Sequence, residues 1–472
     1  MSAIIQSGGI WILISYAIIV ILISLLISRK FSHTKEGFLV AFRNISKSSA
    51  AWSIAATWIW APALFIAAQK AYTEGLIGLF WFVVPNVLCL IIFAYFARKL
   101  RDLIPKGFTL SGYIREKFSK RVQIMYLIEL GGLAICSFAV QLLAGGLVVT
   151  AITGIPFTTV TIFLASVALI YSFIGGLKAS IITDYLQMII IFSVGLVAIP
   201  WILIKSGGTN VLISGLGGIN NLSTNLLSSD GINIFLNFGL ATTIGLLAGP
   251  FGDQSFWQRT FAIKKKDVKG AFIWGALIFA VVPLMMSILG FVAAGIDHTT
   301  TDSQLVNLDM VVKFLPLWMV IPFAFMLLSG LTSTLDSNLC AISSLAGHDL
   351  AKSKNNKKII KYAKIGMISL TILATLIANI PGMKILYLFL FYGTLRASTL
   401  LPTVIAILKN KVSESGMFWG ILLAIVIGLP IFAYGNFNKI TIFIVIGSLL
   451  TVLLSGGIVL IKTLLEQKKD SA

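Results

Sequence analysis

The chain has 472 residues, 58% of them hydrophobic and only 11% charged, against about 25% charged residues in ordinary soluble domains. No water-soluble globule of this length hides so much apolar surface and still covers its outside, which excludes a soluble enzyme, and three cysteines inside apolar runs (Cys89, Cys136, Cys340) exclude a secreted disulfide scaffold. The net charge of +19, from 36 Lys and Arg against 17 Asp and Glu, raises the question of nucleic acid until the positions of those charges are examined.

A bilayer core about 30 Å thick takes roughly 20 apolar residues per helix. In chain order the sequence offers thirteen such stretches, at 8–27, 49–70, 75–97, 122–149, 155–173, 179–204, 231–252, 270–295, 314–345, 359–380, 383–408, 415–435 and 439–463. The runs are too long and too continuous for barrel strands, so an all-α polytopic membrane protein of about thirteen helices is expected. Links on one side and the tail carry 30 Lys and Arg, those on the other side five, and Arg396 alone lies within a span. By the positive-inside rule the N-terminus lies outside and the C-terminus in the cytoplasm. The basic excess is thus a topology signal and not a nucleic-acid footprint. The first span has no small-residue cleavage site before a polar mature chain, so it is kept as a helix. The expected organisation is one transmembrane domain over 1–472, embedded in the cell inner (plasma) membrane and functional as a monomer.

Hydropathy divides the middle into two blocks of five spans, 49–204 and 231–408, flanked by an extra helix at 8–27 and two at 415–463. Five is odd, so the blocks have opposite orientations. The first helix of each is interrupted, by Pro62 after Ala55-Ala56-Thr57-Trp58-Ile59-Trp60-Ala61 and by Gly249-Pro250-Phe251-Gly252-Asp253-Gln254. Proline removes an amide donor and clashes with the preceding turn. Unwound backbone at membrane depth is tolerated only where it faces protein or a water-filled cavity, and paired interruptions point to the central site of a transporter.

Ionisable groups inside spans are functional candidates by default. Inside spans or at their edges are the acids Glu129, Asp184, Asp253 and Asp336, with Arg396 as the only basic one. The ninth span carries the densest polar cluster, Ser329-Gly330-Leu331-Thr332-Ser333-Thr334-Leu335-Asp336-Ser337. Ser333 and Ser337 share a helical face, and Gly330 lets another backbone approach it. A small hard cation wants several oxygen ligands, which this cluster and free carbonyls of an unwound Ala56–Ile59 turn would supply; the alternative is hydroxyls bonded back to their own helix. Asp184 either holds a cation near the cytoplasmic side or pairs with Lys178 or Arg259.

Three stretches resemble the sodium:solute symporter family: Gly175-Gly176-Leu177-Lys178-Ala179 leading to Thr183-Asp184 and Gln187; Gln258-Arg259-Thr260-Phe261-Ala262; and Thr332-Ser333-Thr334-Leu335-Asp336-Ser337 with Asp349-Leu350 beyond. The resemblance covers roughly residues 10–430 and implies a LeuT-like 5+5 inverted repeat and sodium-driven uptake of a small polar organic solute such as urea or proline. It places a sodium ion on the carbonyls of Ala56, Ile59 and Gly330 and the hydroxyls of Ser333 and Thr334. A second ion or exit site falls on Asp184, Ser333, Asp336 and Ser337, with Asp336 where the family more usually has a hydroxyl. Trp58 stands where the proline-transporting branch has an aspartate, and Trp58-Ile59-Trp60-Ala61 with Tyr72, Gly75 and Phe80-Trp81-Phe82 looks more like the urea-transporting branch.

The solute is expected beside both broken helices, among Trp58, Trp60, Gln69, Phe80 and Trp81 from the first block and Asp253, Gln254, Phe256 and Trp257 from the second. Arg396 either meets a solute carboxylate or pairs with an internal acid. Proton coupling in the same fold, or a channel, are the alternatives; no HExxH, G-x-S-x-G or metal cluster supports an enzyme.

Overall fold

The computed structural model describes residues 34–471 and, before them, residues 14, 15, 17–19, 21 and 22; most of the first expected span, 8–27, lies outside the described residues. The described residues are helical throughout, apart from connecting loops and one isolated parallel bridge between Ile45 and Ile263. The longer elements are α1 (Lys47–Trp58), α2 (Ala61–Leu103), α3 (Lys120–Thr153), α4 (Phe157–Ser206), α5 (Ser229–Leu247), α6 (Gln254–Ala262), α7 (Val268–Gly295), α8 (Leu317–Ser344), α9 (Asn356–Ala378), α10 (Ile385–Leu408), α11 (Glu414–Asn438) and α12 (Thr441–Ser471). Ten helices among the described residues are long and apolar enough to cross a membrane.

Two of these ten are long enough for two crossings each. At about 1.5 Å per residue, the 43 residues of α2 and the 50 of α4 far exceed one bilayer. Each is folded at a glycine: Gly75 (φ 64°, ψ −149°) in α2 and Gly176 (φ 57°, ψ −162°) in α4. Positive φ is open to glycine at no steric cost, and close approach adds a second reason. A Cβ on Gly75 would stand 2.3 Å from the Leu216 carbonyl oxygen, and one on Gly176 would stand 2.7 Å from that of Phe38. These folds fall at the expected boundaries between spans two and three and between spans five and six.

Helix starts are set by short polar side chains. Ser46, Thr109, Ser119, Asn355 and Ser413 each accept a hydrogen bond from an amide of the first turn they cap, satisfying donors with no partner inside the helix. The core is formed where α7 runs along α2 and α8 against α4, with α3 and α10 closing the other side of α8 and α2. On the Lys/Arg-rich face, residues 35–45 are tied to α6 and to the loop after α2. The Leu39 carbonyl accepts from Gln258 Nε2 at 2.7 Å, Arg43 Nη1 donates to the Gly107 carbonyl at 2.6 Å, and the Ile45 amide donates to Ala262 at 3.1 Å.

Candidate ion and solute site

Both expected interruptions are present. The first is narrower than the sequence suggested: Ala56, Thr57 and Trp58 remain in the last turn of α1, and the chain leaves the helix only at Ile59 (φ −80°, ψ 69°) and Trp60 (φ −94°, ψ 177°). Pro62 sits in the first turn of α2, where its missing amide costs nothing and its fixed φ suits a helix start. Gln141 of α3 supplies what the broken ladder lacks, its Oε1 accepting from the Ala61 amide at 2.7 Å. In the second interruption α5 ends at Leu247, and the chain turns through Ala248–Gly252. Asp253 then caps α6, accepting from the Ser255 amide at 2.9 Å.

The first break abuts the ridge of α8. A Cβ on Gly330 would stand 3.3 Å from the Ile59 carbonyl oxygen, so only a glycine lets that carbonyl lie against the helix undisturbed. One turn on, Thr334 Oγ1 donates to the Thr57 carbonyl at 3.1 Å, and the Thr57 and Ser337 hydroxyls are 3.0 Å apart. Ser333, Thr334, Asp336 and Ser337 are all buried. The structure therefore brings Thr57 and Ile59 at the end of α1 together with Gly330, Thr334 and Ser337; Ser333 is turned to Asp184, and the Ala56 carbonyl accepts from the Ile59 amide at 3.2 Å.

Beside this ridge lies a buried charged network. Asp184 of α4 takes Arg259 Nη2 at 3.0 Å and Ser53 Oγ at 2.5 Å on one oxygen, and Ser333 Oγ at 2.5 Å on the other. Every nitrogen of Arg259 is engaged: Nε donates to Ser53 (3.0 Å), Nη1 to the Ser255 carbonyl (3.3 Å), and Nη2 also to Ser337 (2.7 Å). Of the two pairings open to Asp184, this is the Arg259 bridge. Asp336 receives only hydroxyls, from Ser180 (2.9 Å), Thr183 (3.2 Å) and Ser337 (3.3 Å). Of the two buried carboxyls only Asp184 is bonded to the guanidinium, and Asp336 has room in its chemistry for a cation or a proton.

The aromatic pocket joins the two breaks. Trp58 and Trp60 stack at 5.7 Å between ring centroids. Phe256 meets Trp58 edge-on at 5.1 Å, and Phe389 and Tyr392 meet Trp60 at 5.4 and 5.6 Å. The Arg396 guanidinium lies 3.6 Å over Tyr392 and 5.2 and 5.6 Å from Trp60 and Trp58. Its Nη2 stands 3.6 Å from Asp253 Oδ2, so the internal-acid pairing is present, at a loose distance. Gly249 and Gly252 allow this closeness: a Cβ on the first would stand 2.4 Å from the Trp58 ring, and on the second 3.0 Å from Arg396 Cγ. Several buried polar atoms here have no partner within the protein: Arg396 Nε and Nη1, Trp60 Nε1, Asn86 Oδ1 and Thr394 Oγ1.

Of the expected solute residues, Trp58, Trp60, Asp253 and Phe256 join this pocket, and the others are engaged elsewhere. Gln254 bonds Phe108, Leu110 and Ser344 near the Lys/Arg-rich face. Gln69 donates to Ser303 at 2.9 Å. Phe80 and Trp81 pack on each other and on Phe235, while Trp257 donates to the Phe251 carbonyl and packs on Phe93. Sequence reasoning missed Ser53, Thr57, Gln141, Ser180, Phe389 and Tyr392. A helical-spacing signal exists for most: Ser53 and Thr57 precede the break at i and i+4, Ser180 shares a stripe with Thr183, Asp184 and Gln187, and Tyr392 lies four before Arg396.

Over residues 38–424 the chain matches the Sodium:solute symporter family. It is 22% identical over 477 residues to the urea-proton symporter DUR3 of Oryza sativa subsp. japonica, covering 90% of this chain and 66% of the relative. It is 23% identical over 424 residues to the probable urea active transporter 1 of Schizosaccharomyces pombe, covering 81% and 62%. To the sodium/pantothenate symporter of Haemophilus influenzae it is 26% identical over 331 residues, covering 67% of each. The chain thus spans about two thirds of the length of these relatives. In fold it resembles a Na+-coupled sialic acid symporter in a substrate-bound outward-open state (TM-score 0.72, 16% identity, 95% of this chain and 96% of that one). It also resembles Mhp1, a nucleobase-cation-symport-1 family transporter (TM-score 0.60, 14% identity, 90% and 94%). The all-helical fold is LeuT-like, ten of the described helices are long and apolar enough for a multi-pass membrane protein, the matched family and the relatives named above are transporters and not enzymes, and the chain belongs to the sodium:solute symporter family.

Proposed function

We propose that this chain is a sodium-coupled symporter that imports a small polar solute by alternating access, with residues 49–204 and 231–408 as its inverted repeats. The observation that carries the reading is the contact of the Ile59–Trp60 break with Gly330 and Thr334. In it, sodium binds the carbonyls of Ala56, Ile59 and Gly330 and the hydroxyls of Ser333 and Thr334. The donor set fits: Ser333 and Thr334 spend their protons on Asp184 and Thr57, leaving oxygen lone pairs for a hard cation. Caging the ion joins the broken helix to α8 and raises solute affinity by a coupling energy, typically about 1–3 kcal/mol. At −100 mV one charge crossing contributes about 2.3 kcal/mol, which is roughly 50-fold accumulation.

The solute sits among Trp58, Trp60, Phe256, Tyr392 and Arg396. Free donors on Arg396 and Trp60 and a free acceptor on Asn86 suit a neutral carbonyl compound with N–H groups, such as urea, better than a cation, which Arg396 would repel. The urea transporters among the relatives agree with that chemistry. The protein acts as a monomer in the plasma membrane, N-terminus outside and C-terminus cytoplasmic. A second reading, proton coupling, is favoured by Asp336, a buried carboxyl with hydroxyl donors alone, and by the proton-coupled relative. Uptake of labelled urea, proline, pantothenate and sialic acid into proteoliposomes, under a sodium gradient or a proton gradient alone, separates the readings. Uptake indifferent to sodium and stimulated by protons selects the second; uptake indifferent to both overturns symport.

A further inference from the structure

One buried ionisable group belongs to neither the ion ridge nor the aromatic pocket. Glu129 of α3 is 3% exposed. Its Oε1 accepts from Thr399 Oγ1 at 2.7 Å and from Ser398 Oγ at 3.3 Å, both on α10, and its Oε2 has no partner within the protein. No salt bridge reaches it among the described residues. An ionised carboxylate this deep, with two hydroxyls and no cation, would carry a desolvation cost of several kcal/mol. A neutral carboxyl group needs no such compensation.

The surroundings supply no hidden counter-charge. On its own helix Glu129 is followed by Leu133, which faces Gly252, and preceded by Tyr126, whose hydroxyl pairs with Thr403 of α10 at 2.9 Å. Arg396, one turn before Thr399 on α10, is turned toward Asp253 and the aromatic rings and makes no ion pair with Glu129. On α8, Asp336 is turned to Ser180 and Thr183. On α9, Lys361 is exposed and Lys364 lies over Phe173.

Position gives the group a use. Glu129 is nine residues into α3 from Lys120, and Thr399 is nine residues before the end of α10 at Leu408. Both therefore lie about 14 Å from the Lys/Arg-rich face at 1.5 Å per residue, on that side of Arg396. Between them and the face the same two elements carry the Tyr126–Thr403 pair, and beyond it Tyr113 donates to the Ala406 carbonyl at 2.7 Å. This is a line of hydroxyls from the solute pocket toward the basic side, stoppered by a carboxyl group.

We infer that Glu129 is a proton-binding site of the transport cycle. It is held as the neutral acid while the core is closed on the Lys/Arg-rich side, and it exchanges its proton with water when that side opens. The step is a simple ionisation, Glu129–COOH giving Glu129–COO⁻ and a proton accepted by water in the opened vestibule, with the reverse on closure. The exchange step rests on the alternating-access reading; the protonation itself does not.

The test is infrared spectroscopy of the full chain in lipid, made with carbon-13-labelled glutamate. Of the six glutamates in the sequence, Glu129 is the only one buried, so an isotope-shifted band of a protonated carboxylic acid at pH 7 reports this residue and not Asp336. The band is expected in the wild type and absent from Glu129→Gln. Its hydrogen–deuterium exchange should be at least about tenfold faster in potassium buffer than in saturating sodium, because sodium holds the closed form. A wild type with no shifted band at pH 7 overturns the proposal without recourse to any variant that fails to fold. A band whose exchange ignores sodium, in a protein whose solute uptake still requires sodium, overturns it as well and leaves symport standing. Loss of sodium-dependent uptake, with the band intact, strikes the symport reading instead.

Discussion

Arg259 and Arg396 are each 1% exposed, and they live in opposite electrostatic conditions. Arg259 has every nitrogen engaged, with an aspartate, two serine hydroxyls and a carbonyl around it. Arg396 has one carboxylate at 3.6 Å, three aromatic faces and two nitrogens without partners. Buried polar groups in folded proteins are almost always satisfied. The network of Arg259 is thus a finished piece of structure, clamping α1, α4, α6 and α8 around the ion ridge. The surroundings of Arg396 are unfinished until something with acceptor oxygens arrives. One arginine holds four helices together, and in the proposed function the other faces the solute.

The sharpest way to break this contrast is to remove each arginine. Arg259→Met leaves Asp184 ionised and buried without a counter-charge, a loss of about 3–5 kcal/mol, expected as a large fall in the thermal unfolding temperature in detergent. Pairing it with Asp184→Asn should recover much of that loss, since a neutral pair has no stranded charge. Arg396→Gln is expected to cost only about 1–2 kcal/mol in the same assay, because its one ion pair is loose and Asp253 is partly exposed. Solute affinity should nevertheless fall about tenfold or more. Equal losses of stability in the two variants would show that the difference in hydrogen bonding carries no functional meaning.

Next in size are the ion ligands. Ser333→Ala and Thr334→Val each delete one oxygen from the proposed cage, at about 1–3 kcal/mol, so the sodium concentration for half-maximal uptake should rise roughly five- to hundredfold. Uptake at saturating sodium should change far less. Gly330→Ala acts on the same contact by sterics: its methyl would stand 2.8 Å from Leu64 Cδ1 and 3.3 Å from the Ile59 carbonyl. The side chain of Leu64 can give way and the carbonyl cannot, so a several-fold weaker sodium response is expected. A Gly330→Ala protein with wild-type sodium dependence would remove the Ile59 carbonyl from the site.

How much of this was legible beforehand differs between the same two regions. Spans, breaks and the Ser333 ridge are written in local pattern: long apolar runs, Pro62, the Gly249–Gly252 turn, and hydroxyls at i and i+4. Asp184 was legible as a buried acid, but its choice of Arg259 over Lys178 is a long-range matter that spacing cannot decide. The aromatic pocket between the breaks was half legible. Trp58, Trp60, Asp253 and Phe256 flank the breaks and were found by that proximity. Gln69, Phe80, Trp81, Gln254 and Trp257 were nominated on the same ground, yet a helix turns about 100° per residue, and neighbours in sequence face different ways. Gln254, next to Asp253, bonds the Phe108–Leu110 loop. On α10, Tyr392 is marked only by lying four residues before Arg396, and nothing local announces Phe389.

The finest version of the comparison lies inside the pocket, between two stacked tryptophans. Trp58 Nε1 donates to the Asn86 carbonyl at 3.2 Å, while Trp60 Nε1 has no partner within the protein. Replacing either by Phe keeps most of the ring and deletes one N–H. In Trp58→Phe that N–H is a structural bond, worth about 0.5–1.5 kcal/mol, so unfolding should occur at a slightly lower temperature with solute affinity nearly unchanged. In Trp60→Phe no bond within the protein is lost, so beyond the packing loss that both substitutions share stability should hold, since the contacts with Phe389 and Tyr392 are made by ring faces and edges. If the free N–H meets the solute carbonyl, affinity falls by the same 0.5–1.5 kcal/mol, about two- to tenfold. The two substitutions thus move opposite readouts by similar small amounts. A Trp60→Phe variant that binds solute as well as the wild type would leave Arg396 to hold the carbonyl oxygen alone.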